Sequence, residues 1–92
     1  MTSSLRQVQV LYEGAVQGVG FRYTVTRIAQ RLDVAGSVAN LPDGTVHLTA
    51  EAPEDTLRLF LDHINASRLR DYITAARVRW HPPQALTGFH IR

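Results

Sequence analysis

Ninety-two residues, 45% of them hydrophobic and 20% charged, suffice for one compact core and are too few for two. The absence of cysteine excludes disulfides, thiolate metal sites and a cysteine nucleophile, and no apolar run approaches the roughly 18 residues of a membrane span. All ten basic residues are arginine, able to make forked contacts with oxyanions, yet a net charge of +2 dispersed along the chain is too small for a nucleic-acid footprint.

The expectation is therefore a single domain over residues 1–92, soluble and cytoplasmic, with no basic-then-apolar leader and only the first four or five residues loose. From Gln7 to Glu13, Val8, Val10 and Tyr12 share one face at period two, which predicts a strand. Gly14 to Gly20 holds three glycines in seven residues and breaks regular structure. Phe21, Val25, Ile28, Ala29 and Leu32 then recur with the spacing of a helix stripe, opposite Arg22, Arg27, Gln30 and Arg31.

Ala35 to Leu41 reads as a second strand, and Pro42-Asp43-Gly44 as the turn of a hairpin. The return strand, Thr45 to Ala52, sets Val46, Leu48 and Ala50 against His47, Thr49 and Glu51. Pro53 suits a first helical position, followed by the acidic Glu54 and Asp55, with Leu57, Phe60, Leu61 and Ile64 as the buried stripe. Asn65 to Thr74 lacks a period and reads as a loop with helical extension through Arg68 and Leu69. Ala76, Val78 and Trp80 alternate with Arg77, Arg79 and His81 as a fourth strand, stopped by Pro82-Pro83, and Phe89 with Ile91 marks a short terminal strand.

The order βαββαβ with a tight central hairpin predicts an α+β, ferredoxin-like two-layer sandwich: an antiparallel sheet with two helices on one face. The first and second strands, joined by a crossover helix, should run the same way with the third between them. Their C-terminal ends then share one edge, bringing the glycine loop beside Asn40.

That loop, Val16-Gln17-Gly18-Val19-Gly20, leads from a strand into Phe21 and Arg22 at a helix N-terminus, where unpaired amides and the positive dipole end favour an anion. Arg22 can add an ionised fork to the same anion. A Gly-x-Gly before a helix also fits a plain tight turn, and a hairpin-end asparagine often bonds its own backbone. A nucleotide P-loop is excluded because there is no lysine, and a dinucleotide fingerprint because Tyr23 stands where its third glycine should be.

The segment Gly14-Ala15-Val16-Gln17-Gly18-Val19-Gly20-Phe21-Arg22 closely resembles the first signature of the acylphosphatase family, and Gly36-Ser37-Val38-Ala39-Asn40-Leu41-Pro42-Asp43-Gly44-Thr45-Val46 resembles the second. The likeness extends to the closing Gly88-Phe89-His90-Ile91-Arg92. It implies a metal-independent, cofactor-free hydrolase of small-molecule acyl phosphates, monomeric, with neither nucleic acid nor membrane as partner. By the same resemblance Arg22 binds the phosphoryl group with the loop from Val16 to Phe21, and Asn40 orients the attacking water. Ser37 replaces a residue that is commonly aromatic in the family, and Ala52 one that is commonly glycine, which puts local packing and acyl-group preference in question.

The histidines at 47, 63, 81 and 90 show no metal-ligand spacing. Two rival functions remain: an acylphosphatase-like module that grips phosphate or carbamoyl phosphate without turnover, as in hydrogenase maturation proteins, and RNA binding on the sheet. Closure of the pattern at Arg92 favours a free-standing enzyme over the first. The second lacks exposed aromatics in its third strand, Thr45 to Ala52.

Overall fold

A computed structural model describes residues 4–92. The expected loose N-terminal stretch falls largely on residues 1–3, outside the described residues, and Leu5 already belongs to a strand. The elements are β1 (Leu5–Gly14), α1 (Phe21–Leu32), β2 (Ala35–Asn40), β3 (Val46–Pro53), α2 (Glu54–Ala66), a 3-10 turn (Arg68–Tyr72), β4 (Ile73–His81) and β5 (Phe89–Ile91).

The sheet order is β4-β1-β3-β2-β5. β3 runs antiparallel to both β1 and β2, so β1 and β2 are parallel and end at the same edge, as the crossover argument requires. β5 extends this frame by pairing parallel with β2, Gly36 opposite Phe89 and Val38 opposite Ile91, which makes the sheet mixed. The result is the ferredoxin-like α+β sandwich.

Period two buries Val8, Val10 and Tyr12 of β1 and Val46, Leu48 and Ala50 of β3 against the stripes of both helices. Phe21, Val25, Ile28 and Ala29 face inward from α1, and Leu57, Phe60 and Ile64 from α2. Each fully buried Leu48, Leu57, Phe60 and Ile64 contributes about 1.5–3 kcal/mol relative to exposure. Among the described residues no helix is long and apolar enough to cross a membrane.

The structure departs most from the sequence reading at three boundaries. Pro53 stays in the β1–β3 ladder opposite Leu5 and caps α2 rather than starting it, since an edge of the ladder tolerates a residue with no N–H. The unpatterned stretch after α2 coils into the 3-10 turn, closed by Ser67, whose Oγ accepts from the Leu69 N–H at 3.2 Å and donates to the Ile64 carbonyl at 2.6 Å. β4 begins at Ile73, and its Val78 is 47% exposed because the edge strand lies beyond the helices' cover.

Candidate active site

The backbone leaving β1 turns through Gly18 and Gly20, both left-handed at φ 79° and 77°, and enters α1 with Gly20 as its N-cap. A side chain at either position would be strained in that conformation. The first backbone bond of the helix runs from the Thr24 N–H to the Gly20 carbonyl at 3.0 Å. Among the described residues no protein group accepts from the main-chain N–H of residues 16–23, so the positive end of α1 presents a set of free donors.

The loop borders a cavity of about 190 Å³ lined by Val16, Gly18, Gly20, Phe21, Arg22, Tyr23, Asn40 and Ile91. Arg22 stands in the first turn of α1, and its Nη1 donates to a main-chain oxygen of Arg92 at 3.1 Å. That bond aligns the guanidinium at the edge of the cavity. Asn40 is the last residue of β2, and the fully buried Val38 shares its face, which directs the carboxamide up toward α1 at the strand end. The Asn40 side chain makes no hydrogen bond among the described residues. An oxyanion seated on the loop amides and the guanidinium would therefore have an amide donor and acceptor beside it.

Of the loop residues singled out in the sequence, Val16, Gly18, Gly20, Phe21 and Arg22 meet Asn40 on this one cavity. The side chains of Gln17 and Val19 turn elsewhere. Gln17 Nε2 donates to the carbonyls of Leu41 at 2.8 Å and Thr45 at 2.9 Å, tying the loop to the hairpin that carries Asn40. Val19 packs against the core. The hairpin is stiffened further by Asp43, which accepts from the Thr45 hydroxyl at 2.6 Å and the Thr45 N–H at 3.0 Å. Those bonds, the hydroxyl's first, hold the Asp43 carboxyl below its ordinary range.

Tyr23 and Ile91 were not foreseen as walls. Tyr23 is the residue after the arginine, 60% exposed, and its position on the first turn carries the signal in hindsight. Ile91 reaches the cavity only because β5 pairs with β2, a non-local fact without a sequence mark. Arg68, from the unpatterned stretch, lies behind the loop: its Nη2 donates to Thr24 Oγ1 at 3.1 Å and would stand 2.9 Å from a Cβ at Gly20. Ser37 lines a separate cavity with Thr87 and His90.

Residues 8–91 match the family model described as Acylphosphatase. An acylphosphatase of Thermus thermophilus is 40% identical over 81 residues, covering 88% of this chain and 92% of the relative. The crystal structure of acylphosphatase from Bacillus subtilis superposes with a TM-score of 0.88 at 33% identity, over 97% of this chain and 99% of that one. Full-length HypF in its phosphate- and nucleotide-bound form contains a similar region, with a TM-score of 0.90 and 27% identity, where this chain covers 12% of that protein. A family match over almost the full length, joined to a fold and a loop that agree with it, leads to one conclusion: this chain belongs to the acylphosphatase family.

Proposed function

We propose that the protein hydrolyses the carboxyl-phosphate bond of small acyl phosphates, acting as a single-domain monomer in the cytoplasm, without metal or cofactor. The phosphoryl group sits on the main-chain amides of residues 16–21 and the Arg22 fork, and Asn40 holds a water in line with the scissile bond. A new bond forms between water oxygen and phosphorus as the P–O bond to the acyl group breaks. The electron pair leaves with the carboxylate, and the water's protons depart with the phosphate.

The chemistry asks little of the protein. A carboxylate is a good leaving group, so the loose transition state needs no strong acid or base, and catalysis reduces to positioning and to stabilising charge on the equatorial oxygens. A carboxamide offers the water both an acceptor and a donor without changing its own charge. The observation that carries this reading is that Arg22, Asn40 and the glycine loop border one cavity. Hydrolysis of benzoyl phosphate tests it. Arg22→Lys, which loses the fork, should turn over at least about a hundredfold more slowly, and the wild-type rate should be insensitive to EDTA. Near-normal rates in the variant, or activity abolished by the chelator, would count against it.

The likeness to a region of HypF favours a second reading, a module that grips phosphate or carbamoyl phosphate without turnover. The same donors serve it. The two readings part on a single readout: tight phosphate binding with no release of benzoate would select the module.

A further inference from the structure

A larger cavity, about 530 Å³, opens beside the anion loop and runs along the exposed face of α1. Tyr23, Thr26, Arg27, Gln30 and Arg31 line it at helical spacing, closed on the far side by Ile91. Tyr23 and Ile91 are walls of both cavities, so the groove begins where the phosphoryl pocket ends.

The charge in this groove is uncompensated. α1 carries three arginines and no acidic residue. Among the described residues the ion pairs join Arg6 and Arg58 to Glu54 and Arg77 to Glu13, none of them on α1. Arg27 and Arg31 stand one turn apart, where like charges repel, an arrangement that a bound anion would relieve. Arg27 is also aimed at the loop end of the groove: its Nη1 donates to the Tyr23 hydroxyl at 3.1 Å and its guanidinium carbon lies 5.7 Å from the ring centre.

We propose that this groove is the acyl subsite and that it selects acyl groups bearing a distal anion, a carboxylate or a phosphate, held by Arg27 with Arg31 behind it. The proposal rests on the acyl-phosphate reading above. At a rise of about 1.5 Å per residue, Arg27 stands roughly 6 Å along the same helix face from Tyr23, the helix residue shared with the phosphoryl pocket, and Arg31 roughly 12 Å. In 4-carboxybenzoyl phosphate the distal carboxylate lies roughly 8 Å from phosphorus at ordinary bond lengths, long enough to extend past Tyr23 into the groove. Gln30 lines the same wall and offers an uncharged donor between the two cations.

The test compares kcat/KM for 4-carboxybenzoyl phosphate with that for 4-methylbenzoyl phosphate, of similar size and neutral at the far end. The wild type should prefer the carboxylate at least about threefold at low ionic strength, chiefly through KM, and less so as salt screens the groove. Arg27→Gln with Arg31→Gln should bring the ratio to about one, and Arg27→Glu should invert it. Because the readout is a ratio, a general loss of folding or activity does not imitate the effect. A wild-type ratio near one while both compounds are hydrolysed overturns the subsite alone, as does a preference that survives the double substitution. No turnover of either compound overturns the subsite together with the hydrolase reading.

Discussion

Glu51 is only 3% exposed, near the end of β3, yet keeps its charge in company: the Gln7 carboxamide donates to it at 2.8 Å, as do the main-chain N–H groups of Gln84 and, at 2.9 Å, Leu86. Burial by itself would raise this carboxyl, but the amide of Leu86, the Gln7 side chain and the amides of Gln84 and Ala85 together outweigh it and hold the group below its ordinary value of 4.5. A depressed folded-state value means that the stabilisation is fully present above the unfolded value and is lost as pH falls through the folded one. Melts from pH 7 to pH 3 should therefore show the wild type losing stability below about 4.5. Glu51→Gln, which turns a donor toward these N–H groups, should start about 1–3 kcal/mol lower at neutral pH and lose less on acidification. Parallel curves would contradict this. Period two sets Glu51 on the open sheet face with His47 and Thr49. Its burial comes from the segment after β4, whose prolines and irregular backbone carry no period from which such a cover could be read.

Helix α1 is bounded by two left-handed residues, Gly20 at φ 77° and Asp33 at φ 57°. Glycine takes that conformation freely, whereas an L side chain strains in it. Asp33 nonetheless closes the helix, its N–H reaching the carbonyls of Ala29 and Gln30. Asp33→Gly should therefore stabilise the fold by about 0.5–1 kcal/mol, visible as a melting temperature higher by several degrees; a lower one would mean that the aspartate has a role beyond closing the helix. Elements with a sustained period were legible. The stripe of Phe21, Val25, Ile28 and Ala29 predicts both α1 and its buried face. Alternation along β4 likewise identifies the face of Ala76, Val78 and Trp80, each opposite a buried residue of β1. Parity cannot say which strand lies at the edge, so the exposure of Val78 was not readable. There Trp80 is covered differently, by the guanidinium carbons of Arg6 and Arg58 at 4.5 and 5.0 Å from its ring centre.

At the scale of the molecule the cavity is assembled from three separate stretches, the loop and first turn at 16–23, the β2 end at Asn40 and the β5 residue Ile91. The first two were legible because the crossover rule brings the ends of β1 and β2 to one edge, and because both signatures stand in the chain in order. The third was not, since a three-residue strand has too short a pattern to reveal its partner. The same holds for Gln17, which the loop resemblance assigns to the anion while its side chain braces the hairpin. On the proposed reading the site divides its labour, the loop and Arg22 holding the phosphoryl group and Asn40 acting on the water alone. Measuring kcat for benzoyl phosphate and the inhibition constant for inorganic phosphate on wild type and Asn40→Ala tests it most directly. The expected result is a fall in kcat of about a hundredfold or more with phosphate affinity changed by less than about threefold. A substitution that weakens phosphate binding as much as turnover, or leaves turnover intact, would contradict it.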